Sequence, residues 1–547
     1  MTRESSLKNK AGSGMGNAQT ISRHIFIVFT FAGLLAGCAV GPDFIRPAKP
    51  DVATYTAAPL AAHTASAPTA LGGAQQFVEG GRINPHWWKE FGSPRLEDLI
   101  TEALQANPTL AGAQAAVRRA QELYAAQSGS TRYPLVDATV GGQRQRFNPT
   151  TMGQPGEARE FSLYTAGVGM QYTFDLFGGN RRALEALAAR VDYQRYQLEG
   201  ARLTLAGAIV TATITQAKLA GQIQAMEAIS HSQEEQLGLT RERLRLGNAA
   251  PDEVLALQPQ VEETRSAILV LRNQLQQNKH LLAVLAGKPP GAGSMPTFTL
   301  DEFTLPAELP LIVPSELVHT RPDIQAAEAL LHEANAEYGV AIAKLYPQIT
   351  LSANLGSQAL TTAALFGGGS AVWSLVGQLI QPLFNPGLPA KKRAALAAFD
   401  AAAANYQTVV LESLRSVADV LCALDNDARR MAAMFAADTA ARESMNSTQR
   451  RYALGAAGYL ELLIAQQQAQ RMRINLIEAR TQRLVDSAAL YQAMGGGLLR
   501  ERPATEALHQ RSRFEGQESG SLRGSRLDRQ VRGPVFVNCI SGNKNFR

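Results

Sequence analysis

Two segments of the chain alternate between apolar and polar or small positions. From Tyr164 onward the even positions are Tyr164, Ala166, Val168, Met170, Tyr172, Phe174 and Leu176. The odd ones are Thr165, Gly167, Gly169, Gln171, Thr173 and Asp175. Further along, Ile349, Leu351, Ala353 and Leu355 interleave with Thr350, Ser352, Asn354 and Gly356. A period of two predicts strands with one apolar face. Less regular partners near 136–142 and 373–384 complete two hairpins, with loops at 153–157 and 367–370. Long strands, apolar outside and wet inside, suit a membrane barrel with a water-filled lumen. A half-buried sheet in a soluble protein alternates in the same way, so period alone leaves both readings open.

The helical pattern shifts that balance. Residues 180–246 and 390–454 lack proline and are rich in Ala, Leu, Gln, Glu and Arg, all good helix formers. At 1.5 Å per residue, about 65 residues make a rod of roughly 100 Å, too long for a compact domain. Apolar and small residues recur along one face at Ala183, Leu187, Val191, Leu198 and Ala201, the pattern of close helix-on-helix packing. A dimeric coiled-coil rod needs a sustained heptad seam, and none can be traced through this Ala-rich sequence. Pro259 falls inside the helix that follows the first rod and should kink it or displace its start.

The chain is duplicated. Residues 243–287 reappear without a gap as 451–495, 208 positions later, with identities that include Arg243/Arg451, Leu246/Leu454, Gly247/Gly455, Glu253/Glu461, Leu255/Leu463, Gln258/Gln466, Gln260/Gln468, Arg265/Arg473, Arg272/Arg480, Gln274/Gln482, Leu282/Leu490 and Gly287/Gly495. So long a spacing marks a duplicated half-protein rather than a solenoid repeat. The identities are mostly Arg, Gln, Glu and Gly, which points to a retained polar surface and a shared turn. Upstream, Pro108-Thr109-Leu110 lies over Pro322-Asp323-Ile324, and Tyr133-Pro134 over Tyr346-Pro347. Each half reads as short helix, strand, loop, strand, very long helix, turn, shorter helix. The organisation is a leader at 1–37, an extended linker at 38–82, a first repeat at 83–290, a connection at 291–313, a second repeat at 314–497 and a disordered basic tail at 498–547.

The front end carries an address. Arg23-His24 precedes the apolar run 25–35, which Leu35-Ala36-Gly37-Cys38 closes. The run is too short to span a bilayer and reads as a signal-peptide core, with Met15 giving a more ordinary leader length than Met1. Leu-Ala-Gly-Cys is the box at which bacteria lipidate a cysteine and cleave before it, leaving an N-acyl diglyceride cysteine at the new N-terminus. Cys38 is therefore the expected lipidation site. Ala39 rather than Asp follows, which favours the outer membrane. The other cysteines, Cys422 and Cys539, imply no disulfide framework.

The net charge of +6 belongs to the ends. The leader holds four Lys/Arg against one Glu, and the tail ten against five, leaving −2 for the residues between. No nucleic-acid surface follows from that balance. Eight histidines are scattered without metal-ligand spacing, and no nucleophile elbow, Walker loop or dinucleotide fingerprint occurs. The Gly-rich stretch 367–370 lacks the Lys-Ser/Thr of a phosphate loop. His86 beside Trp87-Trp88 fits a packing anchor better than a cofactor box. The chain reads as a non-enzyme with neither metal nor cofactor.

Several uncommon motifs occur in a familiar order: Cys38-Ala39-Val40-Gly41-Pro42-Asp43-Phe44, Trp87-Trp88 with Phe91, Phe174-Asp175-Leu176-Phe177-Gly178 with Arg181-Arg182, Pro314-Ser315-Glu316-Leu317 with Arg321-Pro322-Asp323-Ile324, and Gln381-Pro382-Leu383-Phe384. Through them, residues 38–497 resemble the TolC-type outer-membrane efflux proteins, most closely the NodT/OprM-like lipoproteins of resistance-nodulation-division pumps. The resemblance implies a homotrimer whose chains each give four strands to a shared twelve-stranded barrel, continued by the long helices as a periplasmic tunnel. It implies a passive conduit joined to a periplasmic membrane-fusion adaptor and an inner-membrane RND transporter, exporting small molecules. A protein-secretion channel and a structural coiled-coil lipoprotein are the alternatives. The lipidation box favours the first over secretion, and the two alternating hairpins argue against the last.

The duplicated turns are the candidate working parts. Arg243-x3-Gly247 and Arg451-x3-Gly455 end the long helices, where glycine permits the left-handed reversal and arginine complements the helix dipole. By the resemblance these turns form the periplasmic tip that meets the adaptor, with Asn248 and Ala456 at its surface. Glu253 and Glu461, six residues beyond each glycine, would form two rings of three carboxylates in a trimer, although acids also favour the first turn of any helix. Family channels hold the tip shut through tyrosine, arginine and acidic contacts. Here Ala457 stands where the best-known member has arginine, so the expected latch reduces to a Tyr452–Glu253 hydrogen bond.

Overall fold

The computed structural model describes residues 39–497, except Arg82, Gln154 and 292–294. The leader, Cys38 and the tail lie outside the described residues. The elements in order are β1 (Gln76–Glu79), α1 (Pro94–Ala106), α2 (Pro108–Arg132), β2 (Leu135–Phe147), β3 (Arg159–Phe174), α3 (Gly179–Arg245) and α4 (Pro251–Leu285). Then come β4 (Glu308–Leu311), α5 (Pro314–Leu317), α6 (Pro322–Ala343), β5 (Gln348–Ala359), β6 (Ala371–Ile380), α7 (Gly387–Ala453) and α8 (Tyr459–Ala493).

The four long strands form one antiparallel sheet in the order β2-β3-β5-β6. Its central pairing joins the two repeats in register: Val168 faces Leu355, Met170 faces Ala353, and Phe174 faces Ile349. The apolar face therefore runs across all four strands, with rows such as Val136, Met170, Ala353 and Leu375, or Ala138, Val168, Leu355 and Trp373. That face is open: Val140, Leu355 and Trp373 are 86%, 69% and 79% exposed. The opposite face carries Asp137, Asn354, Thr173 and Thr350, with Asn354 donating to Ser374. Neither β2 nor β6 has a second strand partner among the described residues, so the sheet ends in two unpaired edges. The far ends of β2 and β6 differ from the sequence reading. β2 runs on to Phe147, because Gln143, Arg144 and Gln145 keep their ladder bonds beyond the clean alternation. β6 stops at Ile380, because Pro382 cannot continue a ladder and Gln381 instead donates to Leu345 and Pro382 carbonyls.

Both rods form as expected, each 67 residues long, and both returning helices have 35. The second rod begins three residues earlier than its composition suggests. Pro389 is its third residue, where an N–H would have no intrahelical acceptor anyway. Pro259 neither displaces the start of α4 nor interrupts it; the helix runs through from Pro251. A seam that the sequence concealed is visible in α7, where Tyr406, Val410, Ser413, Val417, Leu421, Leu424, Ala428 and Met431 are buried in steps of four and three. Serine and alanine within the seam break its apolar signature. All four helix ends carry a left-handed glycine: Gly247, Gly287, Gly455 and Gly495.

The main core lies where the middle of α3 meets α1 and the segment before it, the connection near Phe298, and α8. Leu205, Ile209 and Ile214 pack with Trp87, Phe91, Leu96, Ile100, Phe298 and Leu484. Trp87 stacks on Tyr491 at 5.4 Å, so the tryptophan pair is an anchor, each ring contributing about 2–3 kcal/mol by burial. The segments with linker composition are firmly held here. β1 pairs in parallel with β4. The fully buried Arg483 donates to the carbonyls of Leu71 and Gly73, to Thr64 Oγ1 and to Gln75 Oε1.

Candidate functional site at the helical tips

The two turns are built alike. In the first, the Asn248 N–H donates to Arg243 O at 2.7 Å and the Gly247 N–H to Leu244 O at 3.0 Å. In the second, Ala456 donates to Arg451 O at 2.8 Å and Gly455 to Tyr452 O at 3.0 Å. This is the cap of a helix closed by glycine at φ 77° and 74°. Each arginine also satisfies the turn it precedes: Arg243 Nη2 donates to Asn248 O at 3.2 Å, and Arg451 Nη2 to Ala456 O at 3.1 Å. The duplicated Arg-x3-Gly is thus one capping unit used twice. Leu246 and Leu454 stand exposed beside it at 58% and 84%.

The second guanidinium nitrogen separates the tips. Arg243 Nη1 donates to the Tyr452 hydroxyl at 2.6 Å, and the guanidinium Cζ lies 5.7 Å from that ring's centre, bridging the hairpins. Arg451 instead pairs with Glu461 at 3.5 Å. The expected Tyr452–Glu253 hydrogen bond is not made within the chain. Glu253 turns back to accept from the Ala250 N–H at 3.2 Å, capping its own helix, while the longer arginine side chain reaches Tyr452. Beneath the bridge, Leu237, Leu257, Val261 and Leu463 form a small core with Tyr459 packed against it. Tyr459 meets Tyr452 edge-on at 6.0 Å, and its buried hydroxyl has no hydrogen-bond partner among the described residues. Burial, with Tyr452 and Glu253 nearby, pushes that phenol's pKa up. Sequence reasoning missed Tyr459 because its duplicate position is Pro251, which left no shared signal.

A second cluster surrounds the start of the described chain. Asp43 pairs with the buried Arg182 at 2.6 Å, Arg46 with Glu328 at 2.5 Å and Lys49 with Glu316 at 2.7 Å. Phe44 stacks on His332 at 4.2 Å, and the Val40 N–H donates to Phe177 O at 3.0 Å. Asp175 caps α3 through the N–H groups of Asn180 and Arg181. Burial would raise the Glu185 carboxyl, but hydrogen bonds from His332 and Arg182 and their charges hold its pKa below the usual range. The motif residues around Asp43, Asp175 and Arg182 therefore clamp the N-terminal segment at the junction of sheet and helices.

Known proteins resemble this chain in sequence and in fold. The profile of the family described as outer membrane efflux protein matches residues 99–288 and 313–496. The probable efflux pump outer membrane protein TtgC of Pseudomonas putida is 30% identical over 468 residues, covering 85% of this chain and 94% of that one. OprJ, an outer membrane protein of Pseudomonas aeruginosa, is 28% identical over 472 residues, covering 85% and 94%. Among solved structures, the outer-membrane channel OprN aligns with a TM-score of 0.75 at 26% identity, over 84% of this chain and 99% of that one.

Proposed function

The chain belongs to the outer membrane efflux protein family, and from that premise we propose how the channel is anchored, assembled and engaged. The protein is an outer-membrane efflux channel of the tripartite kind, extending into the periplasm. Its barrel is trimeric. An open-edged four-stranded sheet leaves backbone groups that lipid cannot satisfy, and three copies close it with twelve strands. The apolar rows through Trp373 and Val140 then face lipid, and the Asp137 and Asn354 face lines the pore.

The tips meet a periplasmic adaptor, which couples the channel to an inner-membrane RND transporter. The observation that carries this is the capping unit used twice. Two rods of about 100 Å end in matched turns that expose Leu246, Asn248, Leu454 and Ala456 far from the sheet. Relatives named for antibiotic efflux, toluene efflux and pyoverdine export favour small-molecule cargo over secreted protein. Bulky substitutions Asn248→Trp and Ala456→Trp should reduce efflux while heat-modifiable trimers still form in isolated outer membranes. Normal efflux from well-expressed variants would remove the tips from the coupling.

Cys38 carries the lipid, next to the clamp of Asp43, Arg46 and Lys49. Cys38→Ser should abolish incorporation of a radiolabelled fatty acid and lipoprotein-type cleavage, while the barrel keeps the protein in the membrane. Labelling that persists in the variant would place the anchor elsewhere.

A further inference from the structure

The second helical hairpin retains arginines whose partners it has lost. In the first hairpin, Arg265 pairs with Glu234 at 3.1 Å and Glu262 at 2.8 Å, and Arg272 with Glu227 at 2.6 Å. The positions 208 residues later keep both cations as Arg473 and Arg480. All three acids are gone, replaced by Arg442, Gln470 and Phe435. Glu234 has become a third arginine. Arg442 finds one new carboxylate, the buried Asp438 at 2.9 Å, where the first hairpin has Ser230. Arg473 has no ion pair or hydrogen bond among the described residues. Arg480 donates to the Thr69 hydroxyl, and its buried Nε has no acceptor among the described residues.

Open space adjoins this cluster. A cavity of about 800 Å³ between α3, α7, α8 and the connection near Leu300 is lined by Arg442, Arg473 and Arg480, by Gln449 and Gln466, and by small residues of α3. Asp301 at its margin is the single carboxylate in that lining. Burial and the charges of Arg473 and Arg442 push the Arg480 guanidinium below its ordinary pKa, against the pull of Asp438 and Asp301. Packing does not explain the arrangement. Exchanging a carboxylate partner for another guanidinium turns attraction into repulsion, and glutamines add hydrogen-bond donors to the same wall. An oxyanion would reverse that repulsion through charge-assisted hydrogen bonds.

We propose that this cavity is a binding site for a small multivalent oxyanion, a phosphate or a polycarboxylate, formed by Arg442, Arg473 and Arg480 of the second hairpin. The first hairpin supplies an internal control, because its equivalent arginines are neutralised within the protein. Binding is measured by calorimetric titration of the detergent-solubilised full-length trimer with inorganic phosphate and with citrate, against chloride at matched ionic strength. The expected result is saturable binding of at least one of them with a dissociation constant below about 1 mM. Phosphate alone saturating identifies a phosphate site, and citrate alone a polycarboxylate site. Arg473→Gln, at an exposed position, should weaken binding by about tenfold or more. The double variant Asp438→Ser with Arg442→Glu installs the first hairpin's residues and should abolish binding. Arg265→Gln should leave it unchanged. Absence of saturation by either probe, wild-type affinity in Arg473→Gln, or an equal loss in Arg265→Gln would overturn the proposal.

Discussion

The two hairpins α3–α4 and α7–α8 match residue for residue in length yet divide their charges differently. Both keep the Arg-x3-Gly cap at the far end and a glycine at the near end, where backbone geometry leaves little choice. Along the shafts, the first hairpin closes its arginines with glutamates, whereas the second gathers three arginines beside a cavity. At the tips, Arg243 crosses to Tyr452 while Arg451 stays with Glu461. Residues that set chain reversal survive duplication. The acids that pair with Arg265 and Arg272 in the first hairpin have no acidic counterpart at the matching positions of the second, although both arginines are kept.

The largest expected effect separates near-end from far-end glycines. All four are left-handed, but a Cβ on Gly287 would lie 2.6 Å from Ala106 O, and one on Gly495 2.4 Å from Thr320 O. Around Gly247 and Gly455 a Cβ would meet nothing within 4 Å. Gly287→Ala and Gly495→Ala should each cost roughly 3 kcal/mol or more, adding a backbone clash to the strained conformation. Gly247→Ala and Gly455→Ala should cost only about 1 kcal/mol. Denaturant midpoints of the trimer measure the difference. Equal losses at all four positions would mean that the near-end contacts relax freely and that the glycines serve conformation alone.

A smaller effect tests the shafts through pH. Asp486 in the second hairpin stands where the first has Asn278. Burial, opposed by a hydrogen bond from Gln482 and reinforced by the neighbouring Asp427 carboxyl, pushes its pKa up to about 7. An unfolded aspartate titrates near about 4, so the folded chain holds this proton more tightly. The associated stability is complete below about pH 4 and is lost as pH rises to about 7. Asp486→Asn should flatten that decline. At pH 8 it should exceed the wild type by about 2 kcal/mol, with the Asp427 coupling spreading the titration over both carboxyls. A variant as pH-dependent as the wild type would move the titrating group elsewhere.

The parts legible in the sequence were those governed by local periodicity and backbone constraint. The alternation at Tyr164–Phe174, the proline-free rods and the terminal glycines each reflect a rule acting within a few residues. Contacts over long separation were hidden. Arg483 locks Leu71 and Gly73 onto α8 from more than four hundred residues away. The N-terminal clamp joins Asp43 to Arg182 and Arg46 to Glu328. The α7 seam was masked because Ser413 and Ala428 carry no apolar signal. At the tips, duplication marked Arg243 and Glu253 as important but could not say which would reach Tyr452. Side-chain length and the competing demand of helix capping decided that.

The smallest expected effect concerns closure of the pore, where Tyr452, Glu253 and Glu461 are the gate candidates. In the structure the bond across the hairpins is Arg243 to Tyr452, so removing the hydroxyl should act alone. A hydrogen bond to a charged donor at an exposed site contributes about 1 kcal/mol, which corresponds to roughly a fivefold change in open population. Tyr452→Phe should raise planar-bilayer conductance by about that factor, and Glu253→Gln added to it should change little, since Glu253 serves the Ala250 cap. Glu461→Gln should lower cation preference if the three Glu461 carboxylates of the trimer ring its entrance as proposed, and leave it unchanged if Glu461 serves only its ion pair with Arg451. If Glu253→Gln alone opens the channel as far as Tyr452→Phe, the two tips are held together by the acid after all. The difference between the hairpins at their ends would then be one of capping rather than of gating.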